Sequence, residues 1–264
     1  MTDKPFELVD LERALAVARQ AAAAADGIAM GHFRTANLAV ERKSDASPVT
    51  VADRQCEAAI RQILQQAFPD HAVFGEEYGR DGEGRLLWLI DPIDGTRSFI
   101  RGLPFWSVQI ALMVDGELVL GVSSAPAFGE TAWAVVGGEA LVDDRLARVR
   151  PVERIEDADV SFGNLRSLAG GDGWAGAGQI VARAARCRGY GDFYSYHRLA
   201  DGGQDAVIES DVNILDIAAL TVICRQAGAV VTDLRGQAIG LETTSILAAA
   251  PKLHGQLLPL FHDA

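Results

Sequence analysis

The stretch WLIDPIDGTRSFIRGLPFWSVQIAL, residues 88–112, decides how the rest of the chain is read. An apolar strand predicted over 86–90 runs into two carboxylates, Asp91 and Asp94, with Pro92 and Ile93 between them. Gly95 and Thr96 follow, small residues that leave their amides accessible, and a second apolar strand is predicted over 107–114. Buried strands normally finish in turn residues, so one or two aspartates there need be no more than caps. Pro92 can neither continue a helix nor donate to a ladder, which forces a bend between the acids. Such a bend can aim Asp91, the Ile93 carbonyl and Asp94 at one point, as a hard, oxygen-seeking cation requires. Taken alone, the stretch fits a capped turn and a cation site equally.

Working outward, residues 71–74 read as a short strand ending at Gly75-Glu76-Glu77. Upstream, a helix is predicted over 8–32 with Leu8, Leu11, Leu15 and Ala18 on one face, then a break over 37–48. Thr50 or a neighbour can cap a second helix reaching about residue 67, with Ile60, Ile63 and Leu64 at core spacing. Downstream, Asp115-Gly116 between VQIALMV and ELVLGVS signals a hairpin, and a strand follows over 131–136. The charged, proline-containing segment 142–157 suggests a division into an N-terminal half, 1–141, and a C-terminal half, 142–264. Beyond it strands are predicted over 159–163, 206–209, 229–233 and 245–249, and helices over 175–185, 193–200, 216–227 and 251–261. Two tightly joined α/β halves is the fold class this alternation implies.

Composition narrows the function. The chain has 264 residues, 49% of them hydrophobic, which is ample for a large core. A net charge of −12 argues against nucleic-acid or anionic-membrane partners, which need clustered Lys and Arg. It leaves room for a small phosphorylated substrate if cations supply the positive charge. No long apolar run and no signal-like N-terminus is present, so a cytoplasmic protein is expected. Cys56, Cys187 and Cys224 are too few and too scattered for a disulfide framework or a zinc site.

Four acid sites share one context, each ending a predicted strand or starting a helix: Glu76 (with Glu77), Asp91/Asp94, Asp53 in VTVAD and Asp216 in ILDIAAL. In an open α/β layout such positions gather at one crevice. Singly, Asp216 reads as a helix cap, Asp53 as a residue favouring a helix dipole and Glu76 as a solvated loop acid. Gathered together, so many carboxylates repel too strongly to stay ionised without cations. Two Mg²⁺ ions would match the four charges of Glu76, Asp91, Asp94 and Asp216 and could clamp an in-line displacement at phosphorus. Gly95 and Thr96 open a short helix whose amides can hold phosphate oxygens. Asp53 or the Thr96 hydroxyl could orient the attacking water. No Cys or Ser sits in a nucleophile context, and no His pairs convincingly with an acid, so metal-assisted attack by water is expected rather than covalent catalysis.

The combination KSDASPVTVAD, GEE, WLIDPIDGTRSF, LDIAAL and AGAVVTD, spanning about residues 42–233 in that order, strongly resembles the inositol monophosphatase superfamily of lithium-sensitive, magnesium-dependent phosphatases. The resemblance implies a layered αβαβα sandwich, a homodimer and two or three Mg²⁺ per active site. It assigns metal ligation to Glu76, Asp91, the Ile93 carbonyl, Asp94 and Asp216. It sets Asp53 and Thr96 near the nucleophilic water, with Glu76 also in a catalytic role, and Gly95 and Thr96 at the phosphate. Leu215 departs from the family, which usually has an aromatic residue there, and a softer pocket wall is expected in consequence.

Within the superfamily, RSFIRGLPFW, SPVTVADRQCE and RGYGDFYSYHRLADGGQDAVIES look most like the histidinol-phosphate phosphatase branch. Glu209 lies seven residues before Asp216, the family's spacing for a substrate-contacting acid. Asp192 and Glu209 could flank the organic part of the ester, where an ammonium and an imidazole both suit carboxylates. Asp192 could equally cap the helix over 193–200. Arg188 is a further candidate for substrate contact, and Trp106, Tyr190 and Tyr194 read as packing aromatics or pocket walls. The expected activity is hydrolysis of L-histidinol phosphate. An inositol-1-monophosphatase-like enzyme of broader specificity is one alternative, and a non-catalytic metal- or phosphoester-binding regulator is another.

Overall fold

A computed structural model of the chain describes residues 10–35, 40–42, 48–171 and 173–262. It begins with α1 (Leu11–His32), the paired β1 (Val40–Arg42) and β2 (Pro48–Thr50), and α2 (Val51–Ala67). Next come β3 (Ala72–Gly75), β4 (Gly79–Asp81), β5 (Leu86–Asp94) and α3 (Thr96–Ile100). A meander follows: β6 (Ser107–Val114), β7 (Glu117–Ala125), β8 (Glu130–Val135), β9 (Leu141–Val142) and β10 (Arg145–Leu146). The remainder alternates: β11 (Asp159–Phe162), α4 (Leu165–Gly170), α5 (Trp174–Arg183), β12 (Arg186–Arg188), α6 (Asp192–Ala200) and β13 (Ala206–Ser210). Then come α7 (Ile214–Gln226), β14 (Val230–Thr232), β15 (Ser245–Ala249) and α8 (Pro251–Leu257), with a closing 3-10 turn at Leu258–Phe261.

Two sheets organise these elements. The first has eight strands in the order β10-β9-β8-β7-β6-β5-β3-β4, antiparallel except for β3 with β5. The second has five, β12-β11-β13-β15-β14, parallel around β11 and antiparallel beyond. Side-chain alternation shows why the strands read as unbroken apolar runs. Trp88 and Ile90 of β5 face α1 and α2, whereas Leu87 and Leu89 face α7. In the second sheet Ile246 and Ala248 join the α6–α7 layer, while Leu247 and Ala249 meet α5 and α8. Every strand covered on both faces needs apolar residues on both. The order is helices, sheet, helices, sheet, helices: the layered α/β sandwich expected from the resemblance. Among the described residues no helix is long and apolar enough to cross a membrane.

Three details depart from the sequence reading. First, α1 packs through alanine rather than leucine: Ala14, Ala18, Ala21, Ala22, Ala25 and Ala29 are buried, and Leu11 and Leu15 sit only at the margin. Small side chains let the helix lie close against α2 and the sheet, so its core face is the stripe that a leucine count overlooks. Leu8 lies outside the described residues. Second, part of the predicted break forms the β1–β2 pair, whose last residue, Thr50, caps α2. Third, β5 does not stop at Ile90. It continues to Asp94 through a bulge in which Asp91 pairs with Gln109 and Asp94 with Ser107. Pro92 falls in the bulged segment, where no ladder hydrogen bond is asked of it.

The α7 layer joins the two sheets at close range. A Cβ built on Gly121 of β7 would lie 2.3 Å from the Ala219 carbonyl oxygen of α7. Gly121→Ala is therefore expected to lower stability by about 1–3 kcal/mol, as overpacking does; urea unfolding that matches wild type would contradict this contact. Asp26 of α1 offers a second test. Burial, only partly offset by a hydrogen bond from the Ser124 hydroxyl, pushes its carboxyl up to about 6. Because the folded value exceeds the unfolded one, stability from this group is complete below about pH 4 and declines as pH rises through about 6. Asp26→Asn should thus stabilise the protein at pH 7.5 by at most roughly 3 kcal/mol, with the gain vanishing at pH 4 in paired melting curves.

Candidate active site

The bulge in β5 shapes the site. Asp91 Oδ1 accepts from the Ile93 amide at 3.0 Å, which folds the backbone over Pro92 and fixes the Asp91 side chain. Gly95 follows with φ 86°, a left-handed conformation that starts α3. No larger residue fits there: a Cβ would lie 2.6 Å from the Phe105 carbonyl oxygen and 3.3 Å from Asp192 Oδ2. The glycine thereby brings the loop after Asp94 against Asp192 at the start of α6. Across the same gap the Phe193 amide donates to Asp94 Oδ2 at 3.1 Å.

Carboxylate oxygens of Asp91, Asp94 and Asp216 lie within 4.8 Å of one another. Glu76 adjoins them, hydrogen-bonded to Asp91. Burial first, then the charge of Glu76, then those of Asp94 and Asp216 push Asp91 well up. Burial, followed by the charges of Asp192, Asp216 and Glu209, pushes Asp94 well up. Burial likewise takes Asp216 to about 7, against the lowering effect of the Asn213 amide. Among the described residues no Lys or Arg forms an ion pair with these three aspartates. The donors are all hard oxygens, crowded and lacking countercharge, and such a set fits Mg²⁺.

Asp53 and Asp216 show that capping and function coincide. Each is the third residue of its helix and completes a capping box, Asp53 with Thr50 on α2 and Asp216 with Asn213 on α7. The N-cap of α7 is thus Asn213, and Asp216 sits one turn inside. Asp53 Oδ2 accepts from the Thr50 amide at 2.8 Å and its hydroxyl at 2.6 Å. That leaves Oδ1 facing the Thr96 hydroxyl, 3.2 Å away, which also lies 3.0 Å from the Ile93 carbonyl. Asp53 is fully buried, and burial holds its carboxyl above the usual range.

Beside the acid cluster is a small cavity of about 60 Å³. Asp94, Asp192, Glu209 and Asp216 line it, with Asn164 and Tyr196. Glu209 is buried, accepts from the Tyr196 hydroxyl at 2.7 Å, and is pushed up to about 8 chiefly by that burial. Asp192 is raised to about 6 by burial and holds φ 49°, unusual for a residue with a side chain. Arg188, by contrast, is exposed at the end of β12, donates to the Cys187 carbonyl and does not line this cavity. Trp106 is a core residue packed on Phe33 and Phe99, while Tyr190 and Tyr194 stack with Phe105 and Phe128 outside the cavity.

Sequence reasoning missed Asn164 and Tyr196. The first follows directly on the predicted strand over 159–163, and the second lies one helical turn after Asp192, so strand-end and i,i+4 rules could have found them. Leu215 does not soften the pocket: it is buried in the core, and Val212, Ile217 and Leu220 form the apolar wall. One histidine does pair with an acid. His197 meets Glu130 at 2.7 Å through Nδ1 and the Ser123 hydroxyl at 2.8 Å through Nε2. This chain resembles a catalytic triad, yet Ser123 and His197 are wholly buried, so it ties β7 and β8 to α6 instead of meeting substrate.

Comparison with known proteins agrees with this geometry. The model of the inositol monophosphatase family matches residues 10–264. The chain belongs to that family. It is 38% identical to a histidinol-phosphatase of Mycobacterium tuberculosis, covering 94% of this chain and 96% of the relative. It is 36% identical to a histidinol-phosphatase of Streptomyces coelicolor, covering 92% and 95%. A solved inositol monophosphatase of Zymomonas mobilis superposes with a TM-score of 0.86 at 30% identity, covering 96% of this chain and 99% of that one.

The crowded acids generate a test. In EDTA, Asp94→Asn should melt above wild type by about 2–4 °C, since one repelling charge is gone and the amide oxygen can still accept from Phe193. Mg²⁺ should then raise the melting temperature of wild type and leave the variant unmoved. Equal stabilisation of both by Mg²⁺ in thermal melts would count against the cluster as a cation site.

Proposed function

We propose that this phosphatase is a Mg²⁺-dependent phosphomonoesterase whose substrate is L-histidinol phosphate, released as L-histidinol and phosphate. The observation that carries the reading is the junction of two acid groups: Asp94 and Asp216, which cluster with Asp91, line one small cavity together with Asp192 and Glu209. Glu76, Asp91, the Ile93 carbonyl, Asp94 and Asp216 would hold two or three Mg²⁺. Bound there, the ions supply positive charge for the phosphoryl oxygens and make water nucleophilic near neutral pH.

The chain's own residues do the rest. Thr96, with its hydroxyl directed at Asp53, orients the attacking water and passes its proton toward that carboxylate. The amides of Gly95 and Thr96 hold the phosphate at the start of α3. Asp192 and Glu209 receive the ammonium and imidazole of the leaving alcohol, whose positive charge would draw these buried carboxyls back to their ionised forms. Inositol hydroxyls would also hydrogen-bond to these carboxylates, which keeps an inositol-1-monophosphatase-like enzyme of broader specificity as the second reading. Assembly as a homodimer belongs to the same proposal. The likeness to named histidinol-phosphatases supports the substrate, and the presence of all four acids supports a working enzyme over a binding regulator.

Steady-state kinetics on histidinol phosphate, inositol 1-phosphate, fructose 1,6-bisphosphate and 3′-phosphoadenosine 5′-phosphate should show clear preference for the first; preference for another overturns the substrate assignment. Phosphate release that persists in EDTA overturns the mechanism. Asp192→Ser should cost about 1.5–3 kcal/mol in kcat/KM for histidinol phosphate. An unchanged ratio of histidinol to inositol ester hydrolysis would remove Asp192 from substrate recognition.

A further inference from the structure

The turn bearing Glu76 is gripped by a buried pair on α2 that the reading above does not use. Glu57 is wholly buried. Its Oε1 accepts from Arg61 Nε at 2.7 Å and lies 3.3 Å from the Tyr78 amide, and its Oε2 accepts from the Glu77 amide at 2.6 Å. Arg61 donates onward to the Gly79 carbonyl. Residues 76–78 are the tight link between β3 and β4, closed where Gly75 pairs with Gly79. On the opposite side the Glu76 amide donates to the Ile90 carbonyl of β5 at 3.2 Å. The turn is therefore pinned from α2 on one flank and from the strand carrying Asp91 on the other.

Packing alone does not call for this arrangement. A buried ion pair can often be replaced by apolar side chains without loss of stability. Hydrogen bonds, unlike apolar contacts, fix direction, and these are spent on the backbone immediately after Glu76. The fit leaves no slack: a Cβ on Gly75 would lie 2.1 Å from Glu57 Oε1 and 2.4 Å from its Cδ.

The geometry points to Glu57 and Arg61 as positioning residues that set where the Glu76 carboxylate stands beside Asp91, and thereby how tightly the site holds its divalent cation. Neither contacts cation or substrate. This inference rests on the proposed role of Glu76 as a metal ligand. Partners that orient metal ligands commonly govern 10–100-fold in metal affinity.

Mg²⁺ titrations of the full chain by calorimetry, paired with the Mg²⁺ dependence of phosphate release, test it. Glu57→Gln should weaken Mg²⁺ about 10-fold or more in both measurements, with kcat at saturating Mg²⁺ within about threefold of wild type. Gly75→Ala, whose methyl displaces the Glu57 carboxylate, should move affinity the same way. Folded Glu57→Gln and Gly75→Ala proteins that bind Mg²⁺ within about twofold of wild type overturn the proposal, even if their melting temperatures fall. Should Glu57→Gln yield no folded protein, Gly75→Ala decides by the same criterion. Glu76→Gln separates the two layers of the argument. Unchanged Mg²⁺ affinity in that variant removes the ligand role itself, whereas weakened binding there with none in Glu57→Gln removes only the positioning role.

Discussion

Repulsion among crowded carboxylates, buried at Asp91 and Asp94 and half-buried at Glu76 and Asp216, is the constraint around which this molecule is built. Asp91, Asp94 and Asp216 lie together with Glu76 against them, and burial and mutual charge push the aspartates' carboxyls up. Such a cluster survives folding only because backbone hydrogen bonds over-determine each side chain. Asp91 is held by the Ile93 amide, Asp94 by the Phe193 amide and Asp216 by Asn213. The stability lost there is offset by an apolar core on both faces of two sheets.

The site is a joint between the two sheets' elements, with contributions from both. β5 provides Asp91 and Asp94, α7 provides Asp216, and α6 lays the amide of its second residue, Phe193, on Asp94. Gly95 lets the backbone after Asp94 reach Asp192, so the start of α3 and the start of α6 are fixed relative to each other. The His197–Glu130–Ser123 chain anchors α6 to the first sheet from within, which gives a triad-like constellation a purely architectural use. Geometry alone did not make it catalytic, because no substrate reaches a fully buried hydroxyl.

Much of the fold was legible because its signals are local. The hairpin at Asp115-Gly116 appears where the dipeptide placed it, with both residues at positive φ. The strand over 107–114 coincides with β6, and 245–249 with β15. The alanine face of α1 was not legible, since its packing depends on how closely α2 and the sheet approach. Nor was the inward orientation of Leu215, which turns on where α7 begins: with Asn213 as cap, Ile217 and Leu220 face the cavity in its place.

The sequence by itself determined the acids and their order, the bend at Pro92, the glycine that follows, and through them the family. These depend on residue type and spacing, which survive without coordinates. Tertiary structure alone decided which oxygens converge and which candidates stand apart. Asp53 and Asp216 could be read as caps, and they are caps, each completing the box at the start of its helix. What spacing could not disclose is that each of these side chains also meets the charge of Glu76. Nor could it disclose that Glu57, an ordinary helix acid in sequence, closes beneath the turn of Glu76. Convergence is a property of the packed layers, and it sets how far charge repulsion and hydrogen bonding act.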